Sequence, residues 1–321
     1  MSIHRITALA LALVVHTATA QGVAYISSEK DNALTVLDVK TQAVMGSVPT
    51  CKRPRHLQLA PDGKTLWVAC GDAQQADVID IATRKSLRRV ALGEGPEIFD
   101  LSADGKLVFV SNEEDATLGI VDANTGQRLR EAKVGGEPEG VKAGRDGKLV
   151  YVTSEVAGMV HAVDVATAKV LHNIKVGKRP RRLALTPDGT QLWVTNELDA
   201  SVSIIDTRSH TVTATLRFEL KGARATDITP VGLTMSRDGT RAYVALGRAN
   251  HVAFVDIATR QVLQLVLVGQ RAWGVALDKA DKTLYVVNGL SDDLSIVDVA
   301  SAKAVKTVKV GRVPHSVVVV E

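Results

Sequence analysis

A single spacing governs this chain. Aromatic residues that open apolar runs stand at Tyr25, Trp67, Phe109, Tyr151, Trp193, Tyr243 and Tyr285, each 42 residues after the last except for one step of 50. Aspartates that close a later apolar run repeat with the same steps at Asp38, Asp80, Asp122, Asp164, Asp206, Asp256 and Asp298. Two independent markers therefore count seven units. Within residues 150–187 the apolar runs are short and rich in β-branched residues, over 151–153, 159–165, 170–176 and 182–186. Turn chemistry separates them, and the last is followed by Pro187-Asp188-Gly189, a hairpin signal repeated at Asp62-Gly63, Asp104-Gly105, Asp146-Gly147 and Asp238-Gly239. A period near forty with four strand-like runs and no helical run predicts an all-β fold, a seven-bladed β-propeller of four-stranded antiparallel blades.

The ends of the chain fit that ring. Residues 24–26 match the strand that elsewhere follows the Asp-Gly turn, and residues 314–320 match the strand that elsewhere precedes it. Pairing the N- and C-terminal strands in one blade closes the circle and removes two open sheet edges. Upstream, His4 and Arg5 precede an apolar run over 6–15 and then Ala18-Thr19-Ala20, the pattern of an export leader cut after Ala20. The run is too short for a permanent membrane span. The expected organisation is a signal peptide over 1–20, a propeller over 21–321 and a periplasmic location.

Repeated residues are expected to build the scaffold. The seven aromatics suit packing between blades. The aspartates are mostly followed by Thr or Ser three residues on, as in Asp164-Val165-Ala166-Thr167, which suits a side-chain-capped turn. One carboxylate per blade does not make a calcium site. A net charge of +4 without basic runs interleaved with aromatics gives nucleic-acid binding no support. Cys51 and Cys70 are the only cysteines; in an oxidising compartment they form a disulfide or remain two partly buried thiols. Without a CxxC pair or CxxCH, covalent haem and a thioredoxin-type centre are excluded, and no bound cofactor is read from the sequence.

Function is sought where the copies differ. The pair that follows the proline of each innermost strand reads His315-Ser316, Arg55-His56, Glu97-Ile98, Glu139-Gly140, Arg181-Arg182 and Val231-Gly232, then Trp273-Gly274 where Ala272 replaces the proline. In a propeller these strand starts gather at one mouth of the central channel. Arg55, His56, Glu97, Glu139, Arg181, Arg182, Trp273 and His315 are therefore expected to form an asymmetric charged funnel for a small organic acid. The alternative is a set of solvated residues that neutralise one another. His56, His315 and Glu97 lack the short spacing of a metal site, so no metal is assigned, and no Gly-x-Ser-x-Gly nucleophile is present. The step of 50 inserts eight residues near 218–229, a longer loop at the same mouth from which Lys221 and Arg224 are expected to reach over the funnel.

The stretches Tyr151-Val152-Thr153-Ser154 and Trp193-Val194-Thr195-Asn196, with Ile205-Asp206-Thr207 and Val176-Gly177, resemble the YVTN family of β-propeller repeats over the whole mature chain. A leader followed by seven such repeats is more narrowly similar to the PQQ-dependent catabolism-associated β-propeller proteins. That resemblance implies a non-catalytic accessory or scaffolding role beside quinoprotein alcohol oxidation, with a periplasmic quinoprotein dehydrogenase, a cytochrome or transport components as partners. The competing expectation is a lactonase-type hydrolase working at the channel mouth, with Glu97 or His315 as base and Arg55 or Arg181 stabilising an oxyanion.

Overall fold

The computed structural model describes residues 22–321, so the leader read over residues 1–20 lies outside it. Seven four-stranded antiparallel sheets form a ring. Blade 1 combines residues 23–49 with the strand Pro314–Val320, and blades 2 to 7 occupy 54–91, 96–133, 138–175, 180–217, 233–267 and 272–309. Each blade is thus offset from the sequence unit: three strands belong to one blade and the fourth begins the next. The ring closes in blade 1, where Val23 pairs with Val320, Ala24 with Val319, Tyr25 with Val318 and Ile26 with Val317. No helix among the described residues is long and apolar enough to cross a membrane.

The core is divided among the seven junctions between blades. Trp67 and Val78 of blade 2, for example, pack on Phe99 and Val110 of blade 3, and Ile26 of blade 1 packs on Tyr285 and Val287 of blade 7. All seven unit-opening aromatics are buried in these layers. Alternation along each second and third strand sends successive side chains to the two neighbouring blades, which is why those strands are apolar on both faces. Toward the rim, each repeated aspartate accepts the backbone N–H of the residue three positions on, as from Thr41, Thr83, Thr167 and Ser301. These bonds hold the turn aspartates below the usual carboxylate range.

Innermost strands share a bulge that positions the site. Pro54 pairs with Cys70 and Leu57 with Val68, so two residues, Arg55 and His56, stand opposite one. The same shift occurs in blades 3, 4, 5 and 7. A bulge releases its residues from the ladder and re-aims their side chains, here into the channel. Hydroxyls hold it in place: Thr153 accepts from the N–H of Gly140 at 2.7 Å and donates to the Arg181 carbonyl of the next blade at 3.2 Å. Ser27, Ser111 and Thr195 make the matching pairs of contacts. The third residue of the Tyr-Val-Thr-Ser/Asn stretch therefore staples one blade to the next. The following blade comes so close that a Cβ on Gly140 would lie 2.1 Å from the Arg181 carbonyl oxygen.

Cys51, on the crossover into blade 2, is joined to Cys70 at the end of its second strand, with Cα atoms 5.8 Å apart. The 218–229 insertion lengthens the crossover from blade 5 to blade 6. Phe218 and Ile228 are buried in the junction of those blades, and the short 3-10 turn Ala225–Asp227 lies against the Glu197–Asp199 turn. The expected reach of its cations over the funnel is corrected: Arg224 turns to Asp227 on its own loop at 2.8 Å, and neither it nor Lys221 lines the cavity. Burying the two apolar ends of the loop keeps its middle at the rim.

Candidate functional site at the channel mouth

At the face where the innermost strands begin, the channel opens into a cavity of about 410 Å³ lined by six arginines and five glutamates. Arg55, Glu97, Glu139, Arg181, Trp273 and His315 lie on its wall. His56 and Arg182 do not; they line a second cavity, also about 410 Å³, on the far side of a plug that crosses the channel. The expected funnel is thus split by one residue step along the strand. Arg182 reaches back through the plug, bonding Glu139 with one Nη and lying 3.3 Å from His315 Nε2 with the other.

Most of the remaining wall comes from two further rings of positions that sequence reasoning did not use, with Arg248 and Leu290 one residue beyond the second. On the crossovers the matching positions are Arg53, Gly95, Glu137, Arg179, Thr229, Arg271 and Val313; on the turns after the second strands they are Glu29, Gly71, Glu113, Glu155, Glu197, Gly247 and Gly289. Both rings keep the steps of 42 and 50, so the repeat itself would have revealed them.

Charges in the plug are paired and buried. Arg55 lies 2.8 Å from Glu97. Arg181 contacts Glu139 at 3.2 Å, bonds Glu155 and lies 3.7 Å from Glu197, while Arg179 reaches Glu155 at 2.7 Å. The two central carboxylates diverge. Burial opposes ionisation at Glu139, but Arg181, Arg182 and Arg55 outweigh it and hold the group down at about 2. Burial and the neighbouring Glu139 charge instead push Glu97 up to about 8 against the pull of Arg55.

His315 is tied off. Its Nε2 lies 3.3 Å from Nη2 of both Arg55 and Arg182. Guanidinium only donates, so Nε2 is the acceptor and the proton sits on Nδ1, which faces Ser316 Oγ at 3.4 Å. Burial and the two arginines keep the ring neutral, well below its ordinary value. Its lone pair faces the two guanidiniums inside the plug. Desolvation and Arg182 likewise drive His56 down to about 3, and no three His, Cys, Asp or Glu side chains among the described residues converge as a metal site.

Pairing is uneven around the mouth. Arg53, Arg55, Arg179 and Arg181 each have a carboxylate within 4.0 Å, whereas among the described residues Arg248 and Arg271 have none and Glu113 has no cation partner. Arg271 stacks over Trp273 at 4.5 Å, with Arg181 over the same ring at 5.4 Å. The Trp273 indole N–H is buried without an acceptor.

A closed ring of four-stranded blades around a ligand-sized, unrepeated mouth defines a seven-bladed β-propeller. By sequence, residues 93–184 match the family model described as a YNCE-like beta-propeller, and residues 199–311 match the Choice-of-anchor I domain. No curated protein matches the chain. Among solved structures, the periplasmic gluconolactonase PpgL of Pseudomonas aeruginosa is similar with a TM-score of 0.80 at 21% identity, over 94% of this chain and 99% of that one. Hydrazine synthase of Kuenenia stuttgartiensis gives 0.77 at 20% over 91% and 99%, and dihydro-heme d1 dehydrogenase NirN gives 0.70 at 14% over 92% and 74%. At such identities the likeness is one of fold.

Proposed function

We propose that this protein is an exported, non-catalytic binding propeller whose mouth takes a small organic acid, accessory to quinoprotein alcohol oxidation. The observation that carries the binding reading is the unpaired cationic wall: Arg248 and Arg271 lack carboxylate partners beside Trp273, in a cavity of small-molecule size. A wall of solvated residues neutralising one another would leave no such excess. The quinoprotein setting, with a dehydrogenase, cytochrome or transport component as partner, rests on the resemblance of the repeats. Calorimetric titration with short carboxylic acids tests the site. Arg271→Ala is expected to weaken binding about tenfold, Lys169→Ala on an outer turn to leave it unchanged, and added salt to weaken it. Equal effects of the two substitutions would place binding elsewhere, and no binding of any acid would leave partner docking as the use of this face.

One observation favours a lactonase as the second reading. Glu97 and Glu139 are neighbours with well-separated proton affinities, the arrangement that supplies an acid and an ionised carboxylate at one pH. The similar fold of a gluconolactonase adds to it. Lactone hydrolysis by the purified protein, abolished by Glu97→Gln, would put this reading first.

A further inference from the structure

The unpaired groups of the mouth do not lie at random around the ring. With seven blades, each blade faces the junction of two others across the channel. Blade 3, which contributes the unpartnered Glu113, stands opposite the junction of blades 6 and 7, which contributes Arg248 and Arg271, while Glu97 of the same blade is already paired with Arg55. One wall therefore carries surplus negative charge and the wall facing it surplus positive charge. We propose that the mouth is built for a small zwitterion, an amino acid whose ammonium and carboxylate are separated by several methylenes. This rests on the reading of the mouth as a ligand site.

Among the described residues Glu113 on one wall and Arg248 and Arg271 on the other have no ion-pair partner within 4.0 Å. Beside Glu113, the Glu97 carboxyl is raised by burial and then by Glu139, with Glu113 adding to it against the pull of Arg55 and Arg53. The Arg271 guanidinium is lowered by burial, with Arg248 and Arg181 adding to it against the more distant pull of Glu197 and Glu29. A simple acid relieves one wall and meets repulsion at the other, whereas a ligand with opposite charges at its two ends relieves both. Trp273 lines the cavity beside Arg271 and adds aromatic surface to the cationic side.

Size sets the separation of the charges. A sphere of the cavity's volume is about 9 Å across, and an extended 5-aminopentanoate places its charged ends roughly 6 Å apart, which leaves hydrogen-bonding distance at either wall. Glycine, with its charges adjacent, reaches only one wall.

The test is isothermal titration of the full protein with 5-aminopentanoate, pentanoate, pentylamine and glycine. The ω-amino acid is expected to bind about tenfold or more tightly than the other three. Arg248→Ala, at an exposed position, should weaken 5-aminopentanoate and pentanoate alike. Glu113→Gln should weaken 5-aminopentanoate about tenfold and leave pentanoate unchanged or tighter. Pentanoate binding as tightly as 5-aminopentanoate, without response to Glu113→Gln, would overturn the zwitterion and leave the acid-binding mouth standing. Failure of both compounds to bind at millimolar concentration would overturn both. Thermal melts of the two variants separate a lost contact from a lost fold.

Discussion

The two faces of the ring carry the same chemical group in opposite circumstances. On the face of the Asp-Gly hairpins, seven aspartates sit one per blade in the turns, each satisfied by a backbone N–H group three residues away. On the other face Glu97, Glu139, Glu155 and Glu197 are buried, unequal from blade to blade and met by arginines from different parts of the chain. The first set is lowered in proton affinity by local geometry that any one unit supplies. The second set is pushed apart by long-range company, with Glu139 down and Glu97 up. Repetition thus makes charge a local matter, and loss of repetition turns it into a property of the whole ring.

The largest expected effect strikes what both faces share. Deleting residues 316–321 removes the strand that pairs with Val23–Ile26 and exposes two sheet edges, so the melting temperature should fall by more than about 10 °C, with aggregation. A truncated chain that melts within a degree or two of the full-length protein and stays monomeric would show that closure contributes little.

Next in size is a direct comparison of the faces. Arg181→Ala leaves Glu139, Glu155 and Glu197 short of their shared cation in a buried site, a loss of about 3–5 kcal/mol. Asp164→Ala removes an exposed turn cap and should shift the melting temperature by no more than about 2 °C. Equal destabilisation in chemical denaturation would erase the distinction drawn between the faces.

The smallest effect sharpens it. Because the folded value of Glu97 lies above its unfolded one, the folded state holds the extra proton between about pH 4.5 and about 8. Its contribution to stability is therefore present at low pH and lost as pH rises through that window. Glu97→Gln mimics the protonated form at every pH. The variant should melt close to the wild type at pH 5 and roughly a few degrees above it at pH 9. A difference that stays flat with pH would mean that Glu97 is ionised throughout.

Much of the fold was legible because it is written seven times. The aromatic and aspartate steps, the hairpin signals and the complementary ends each report a short-range requirement, and all agree with the ring that forms. The site was legible in part for the same reason. Strand starts converge in any propeller, so six of the eight chosen side chains meet at one cavity. His56 and Arg182 line the second cavity because the bulge, invisible to simple alternation, parts neighbouring residues onto two sides of the plug, although Arg182 still reaches Glu139 and His315. The tautomer of His315 depends on arginines 133 and 260 positions away, and no local pattern announces it. Glu113 and Arg271 stand on rings that the period marks, and Arg248 stands one residue beyond the Gly247 ring position, so the repeat holds the signal for all three away from the strand starts.

The pairing of Val23 with Val320 also orders events in time. Blades 2 to 7 are each made from strands adjacent in the sequence, so their ladders zip locally. Blade 1 has to wait for the last of twenty-eight strands. Until that strand arrives the nascent molecule is an arc with a bare edge at either end, open to pairing with another copy. The valines at 317–320 therefore limit how long the aggregation-prone arc survives, and weakening them lengthens that interval by slowing the final docking step.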